Sequence, residues 1–334
     1  MGQTETLSLG EIEALAYRAL TRAGANGKAA TALARATAQT EADGVASHGL
    51  AYIPIYCEHL RCGKVDGTAR PIITQPKPGL VLADAATGFA HVAIAAGFEA
   101  LIPAARAQGI AALAVSNSYN CGVLGVHTLT LAHAGFLALG FTNAPASIAP
   151  SGGTRPVVGT NPISLAAPDG AGGAALLIDQ SASTIAKSEI MKHAREGRPI
   201  PEGWGLDADG NPTTDPEVAL KGSMAPSGGY KGVGLALLVE TMAAAMTGAN
   251  LGMDASPFSG TAGGPPRTGQ VFIAIDAETS SGGAFAARIA RLTGEIRGMA
   301  GARLPGDGRA KARARAQTMG VAVSVATLDK IRAL

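Results

Sequence analysis

The chain has 334 residues, with 27 Lys and Arg against 25 Asp and Glu and a formal net charge of +2. So weak a charge gives no electrostatic footprint for nucleic acid, and no uninterrupted apolar run reaches membrane-spanning length. Cys57, Cys62 and Cys121 show neither CxxC nor Cys/His zinc spacing, which predicts free thiols, no metal site and a reducing compartment. The residues after Met1 lack a basic stretch followed by an apolar one, so the expectation is a soluble cytoplasmic protein. The length suits two packed domains or one large one. Forty-five glycines imply many tight turns, which suits an enzyme better than a fibre or a disordered chain.

In chain order, Ser8 and Glu11 fit a capping box ahead of a helix that runs through Leu20. Gly24 to Gly27 breaks it, and further helices are expected over Lys28 to Asp43 and Ile53 to Cys62. Pro71 to Leu82 reads as a Pro-rich, β-like hinge into a second unit. Helices then alternate with strands. The expected helices are Ala90 to Ala107, Leu124 to Ala134, Met191 to Glu196, Lys231 to Met246, Phe285 to Gly298 and Gly308 to Met319. The expected strands are Ile110 to Val115, Phe136 to Thr142, Pro162 to Pro168, Ala174 to Asp179 and, last, Gln270 to Asp276. The basic run Arg309 to Arg315 has helical spacing and reads as a solvated face. The fold class is therefore mixed α/β. A helical unit over 1–70, completed by helices of 300–334, precedes a larger α/β domain over 80–300.

Four loops rich in Gly, Pro, Asn, Ser and Thr carry the candidate chemistry: 117–122, 144–161, 179–188 and 225–232. There is no G-x-G-x-x-G, no P-loop and no G-x-S-x-G elbow. Ser47-His48-Gly49 joins two helices. Its imidazole can move a proton near neutral pH, Ser47 can orient the ring, and Gly49 leaves room for a ligand. Asn161 either offers a donor or caps a tight structural turn. Gly228-Gly229-Tyr230-Lys231 opens an apolar helix, where backbone N–H groups and Lys231 favour an anion. Asp179 ends a strand and either accepts the two hydroxyls of a ribose, which favours NAD, or caps a turn.

Asp43 to Gly49, Gly159 to Ile163, Arg195 to Gly197, Gly203 to Gly210, Gly229 to Gly232 and Arg303 to Gly306 occur in this order. Together they resemble the malate/L-lactate dehydrogenase-like oxidoreductases over nearly the whole chain. The resemblance implies a homodimer that uses NAD or NADP on a non-Rossmann fold. It also implies a small-molecule substrate, with no nucleic acid and no membrane as partner. His48 is then the proton donor, with Ser47 and Glu189 as its relay. Thr160, Lys187, Ser188 and Tyr52 fall on the substrate side. The cofactor loops fall on Asn120, Cys121, Gly122, Val123 and Leu124, on Ile178, Asp179 and Gln180, on Tyr230 and Lys231, and on Arg303, Leu304, Pro305 and Gly306. Two positions depart from the family pattern: Tyr52 stands where Arg is usual, and Asn120 where His is common. Lys187 and Arg155 are the cations available to replace that Arg. The implied reaction is hydride transfer between nicotinamide and a small 2-hydroxy/2-oxo acid of malate, lactate or sulfolactate type. The alternatives are reduction of cyclic 2-imino acids (Δ1-pyrroline- or Δ1-piperideine-2-carboxylate) and a catalytically silent, ligand-binding member.

Overall fold

The computed structural model describes residues 3–334. Strand β1 (Thr4–Leu7) leads into helix α1 (Leu9–Arg22). Ser8 and Glu11 cap α1 reciprocally, satisfying two donors that the first turn leaves free. Asn26 caps α2 (Gly27–Ala42) by accepting from the Ala29 N–H. Two 3-10 turns, Ala46–His48 and Leu50–Tyr52, then lead to α3 (Ile53–Arg61). Ile12, Ala16, Leu20, Ala30, Leu33 and Ala34 form apolar stripes that bury against Ile53 and Cys57.

The segment from Pro71 to Leu82 is not a free hinge. Strands β2 (Ile72–Lys77) and β3 (Leu80–Asp84) form a hairpin on the edge of the main sheet. Helix α4 (Ala90–Gln108), β4 (Ile110–Ser118), α5 (Leu124–His133), β5 (Leu137–Thr142), β6 (Ile163–Pro168) and β7 (Ala174–Gln180) follow. A small unit comes next: α6 (Lys187–Arg195), β8 (Gly205–Leu206), β9 (Pro212–Thr213), α7 (Pro216–Lys221) and β10 (Ser223–Met224). It has its own apolar cluster around Ile190, Ile200 and Ala219. Helix α8 (Tyr230–Glu240) passes into a π-helical turn, Thr241–Ala245, instead of continuing as α-helix to Met246. The chain ends with β11 (Thr268–Ile275), α9 (Ala277–Ser280), α10 (Phe285–Arg297), α11 (Asp307–Met319), β12 (Val321–Ser324) and α12 (Val325–Arg332).

The main sheet has the order β2-β3-β4-β11-β5-β6-β7, and of its pairs only β3–β4 is parallel. A Rossmann phosphate loop needs a parallel βαβ array. This sheet does not provide one, which accounts for the missing glycine fingerprint. Strand β11 lies at the centre of the sheet, with Val271, Phe272 and Ala274 fully buried. It is not the last strand: β12 pairs antiparallel with β1, and Leu328 and Ile331 of α12 join the core of the helical unit. The C-terminal segment thus packs on the first helices. No helix among the described residues is long and apolar enough to cross a membrane.

Candidate active site

His48 sits half-buried at the end of a 3-10 turn, with its Nδ1 2.9 Å from the Ser47 hydroxyl. The turn is held from below. Glu41, at the end of α2, accepts the Leu50 N–H at 2.7 Å, and a Cβ on Gly49 would lie 2.2 Å from the Glu41 carboxylate. Gly49 is therefore required by Glu41, which corrects the expectation that it makes room for a ligand. Burial lowers the His48 pKa; Asp179 pulls it back up and Arg309 adds to the lowering. Burial thus favours the neutral ring at rest. A serine hydroxyl can donate or accept, so Ser47 can hold either imidazole tautomer and leave Nε2 as the working atom.

Two ion pairs pack beside this turn. Asp43, almost fully buried, takes a bidentate contact from Arg313 at 2.8 and 2.9 Å. Asp179 Oδ2 accepts from Arg309 at 2.7 Å and from the Gly125 N–H at 3.0 Å. Arg309 and Arg313 are four residues apart on α11 and face inward together, so the basic run is not simply a solvated face. Asp179 Oδ2 thus holds the first turn of α5 and pairs with Arg309, a structural role beyond the strand-end reading. The signal for these pairs was the 309/313 spacing, but nothing local in the sequence named their acidic partners.

Next to His48 stands a set of phenols. The Tyr52 ring lies parallel to the imidazole with centroids 6.0 Å apart, and Tyr56 packs edge-on to Tyr52 at 4.8 Å. Asn120 lies between them, 3.4 Å from the Tyr52 hydroxyl and 3.2 Å from that of Tyr56. Cys121 is buried, and burial pushes its thiol up to about 12, so it is no nucleophile. His91 and His127 pack on each other behind Gly122, and burial holds His91 down at about 3. Tyr56, His91 and His127 line a narrow cavity with His48. Sequence reading missed all three.

The expected cofactor segments adjoin one another. Gly125, one residue past Leu124 and two past Val123, bonds to Asp179. Ile178 and Gln180 flank that carboxylate. Gly306 packs so closely on Leu177 that a Cβ would lie 2.9 Å from its backbone. Leu304 beside it is buried, and Arg303 and Pro305 are exposed. Tyr230 and Lys231 are exposed at the start of α8, behind Gly228 and Gly229, which both have φ near +65°. The start of α8 is tied to the strand end through Ser227 N–H to Ala182 O and Thr184 N–H to Ala225 O. Helices α8 and α11 begin without a side-chain N-cap, whereas the first turn of α5 is held by Asp179. Free N–H groups at a helix start favour an anion.

The remaining substrate-side residues form a second group. The Thr160 carbonyl accepts from the Ala182 N–H, while Asn161 is buried with φ +37° and donates to Ala236 O and Glu240. Asn161 therefore serves the backbone turn. Lys187 and Ser188 begin α6; the Ser188 hydroxyl is buried without a partner, and desolvation lowers the Lys187 pKa although the residue is exposed overall. Glu189 makes no hydrogen bond to Ser47 or His48 among the described residues, and the carboxylate that acts on His48 is Asp179. Arg155 is exposed and makes no ion pair there either. No group of three or more His, Cys, Asp or Glu among the described residues is placed to hold a metal.

The family model for malate/L-lactate dehydrogenase matches residues 7–332. The chain is 41% identical to a (2R)-3-sulfolactate dehydrogenase (NADP(+)) from Chromohalobacter salexigens, covering 98% of this chain and 97% of that one. It is 37% identical to a Δ1-pyrroline-2-carboxylate reductase from Ancylobacter novellus, covering 100% and 98%. The crystal structure of Δ1-piperideine-2-carboxylate reductase from Pseudomonas syringae superposes with a TM-score of 0.93 at 36% identity, covering 99% of both chains. The chain thus belongs to the malate/L-lactate dehydrogenase family of NAD(P)-dependent oxidoreductases.

Proposed function

We propose that this protein reduces C2 of a small 2-oxo or 2-imino carboxylic acid, reversibly, with His48 as the proton donor. The observation that carries the reading is the Ser47–His48 contact on Nδ1, which leaves Nε2 as the working atom. NADH or NADPH would supply the hydride when bound. Lys231 and the N–H groups at the starts of α8 and α11 hold its phosphates. In reduction, His48, protonated from solvent, gives the Nε2 proton of its imidazolium to the oxygen or nitrogen on which charge develops and is left as neutral imidazole with the other proton on Nδ1. In oxidation, neutral Nε2 takes that proton back, and the Ser47 hydroxyl accepts from Nδ1–H in both directions. In this reading Thr160, Lys187 and Ser188 face the substrate carboxylate, and Asp179 is the carboxylate that acts on His48. The unpartnered Ser188 hydroxyl and the desolvated Lys187 amine support that placement. A cytoplasmic homodimer completes the reading.

The test is oxidation of NADH and NADPH by pyruvate, oxaloacetate, sulfopyruvate and Δ1-pyrroline-2-carboxylate. Turnover with at least one acid is expected; reduced cofactor that binds but is consumed by none of them would contradict the assignment.

A further inference from the structure

The wall beside His48 is built from neutral groups. Tyr52 presents a ring parallel to the imidazole, and Tyr56 backs it edge-on. Asn120 locks the pair: its Nδ2 donates to the Tyr52 hydroxyl, and its Oδ1 accepts from the Tyr56 hydroxyl and from the Gly122 N–H at 3.1 Å. The Tyr52 hydroxyl also reaches the Phe258 carbonyl at 3.5 Å. The polar partners of this wall are therefore other uncharged groups. No Lys or Arg hydrogen-bonds to Tyr52, Tyr56 or Asn120 among the described residues. Arg309, whose field reaches His48, is already paired with Asp179.

A substrate with two anions would set the second against this wall without a countercharge. Burying an unpaired charge costs several kcal/mol. The same aromatic faces offer apolar surface to an uncharged ring or short alkyl chain.

We propose that Tyr52, Tyr56 and Asn120 make this enzyme selective for monoanionic 2-oxo and 2-imino acids, those whose body beyond the carboxylate is an uncharged ring or alkyl group, over acids with a second carboxylate or sulfonate. The proposal rests on the hydride-transfer reading above and narrows it. Tyr52 supplies the contact face, and Asn120 is the positioning residue that fixes both phenols.

The experiment is kcat/KM of the full-length enzyme for Δ1-pyrroline-2-carboxylate and 2-oxobutyrate against oxaloacetate and sulfopyruvate, in wild type and Tyr52→Arg. The expected wild-type ratio favours the monoanions by about 30-fold or more, roughly two kcal/mol. Tyr52→Arg is expected to narrow it at least tenfold, mainly by lowering KM for the dianions. Asn120→Ala is expected to narrow the same ratio of kcat/KM values. A wild-type ratio of one or below overturns the selection while leaving hydride transfer intact, and it does not depend on any variant folding. A Tyr52→Arg protein that is folded and active with an unchanged ratio overturns the role of Tyr52. Turnover of no acid at all overturns the hydride-transfer reading and this selection with it.

Discussion

The site has two halves built in different ways. Around His48, side chain meets side chain: Ser47 on the imidazole, Glu41 under Gly49, Asp43 on Arg313, Asp179 on Arg309, and Asn120 between two tyrosines. Around Thr160, Lys187 and Lys231, backbone meets backbone across three loops, while the polar side chains stay exposed or unpartnered. The first half is preorganised and has little to gain from rearranging. The second keeps its donors available. Proton transfer needs an atom fixed in place, whereas anion binding needs uncommitted N–H groups and charges. The difference between the halves follows from that division of labour.

If the division is correct, mutations should separate cleanly. The largest effect is expected from His48→Ala, which should lower kcat by about 10²- to 10⁴-fold and leave cofactor Kd unchanged in a fluorescence titration. Arg313→Ala comes next. It strands the buried Asp43 carboxylate and should cost about 2 kcal/mol in urea unfolding. That is below the roughly 3–5 kcal/mol of a fully buried broken pair, because Arg313 is 31% exposed.

The buried imidazoles give a pH dependence of similar size. His91 titrates near 6.5 in the unfolded chain and at about 3 in the fold. The unfolded state therefore binds the proton first. Stability is full above pH 6.5 and falls by about 1.4 kcal/mol per unit below it, or about 2 kcal/mol from His91 alone by pH 5. His48, His59 and His127 are also lowered by burial and act in the same direction. His91→Leu, which removes an unpartnered Nδ1, should narrow the gap between urea midpoints at pH 7 and pH 5; an unchanged gap would show that His91 is not held neutral. The smallest effect belongs to the open half. Lys231→Ala should weaken the reduced cofactor roughly five- to tenfold with kcat nearly kept, since an exposed lysine contributes modestly. A large kcat loss there would blur the two halves.

The sequence showed these halves unequally. Helices α1 to α5 and strands β4 to β7 follow from period and capping, because each buries a stripe that its own residues define. The Ser47-His48 turn was legible as a motif. Asp43–Arg313 was not, since its members lie 270 residues apart and meet only because β12 returns to β1. The Asp179–Arg309 pair was hidden likewise, because a strand-end carboxylate has no visible partner until α11 is placed over it. Gly49 misled for the same reason: only the fold shows Glu41 filling the space beside it. The hairpin β2–β3 read as a hinge because Pro71, Pro76 and Pro78 suggested loop, whereas an edge strand tolerates proline.

The most direct test of the account is a paired titration of the wild-type protein with NADH and NADPH, followed by addition of a 2-oxo or cyclic 2-imino acid to the tighter complex. The account predicts that at least one reduced cofactor binds saturably at one site per chain and is oxidised when the acid is added. Binding of neither would contradict it, because the uncapped starts of α8 and α11 would then not form the dinucleotide site on which the role of His48 depends.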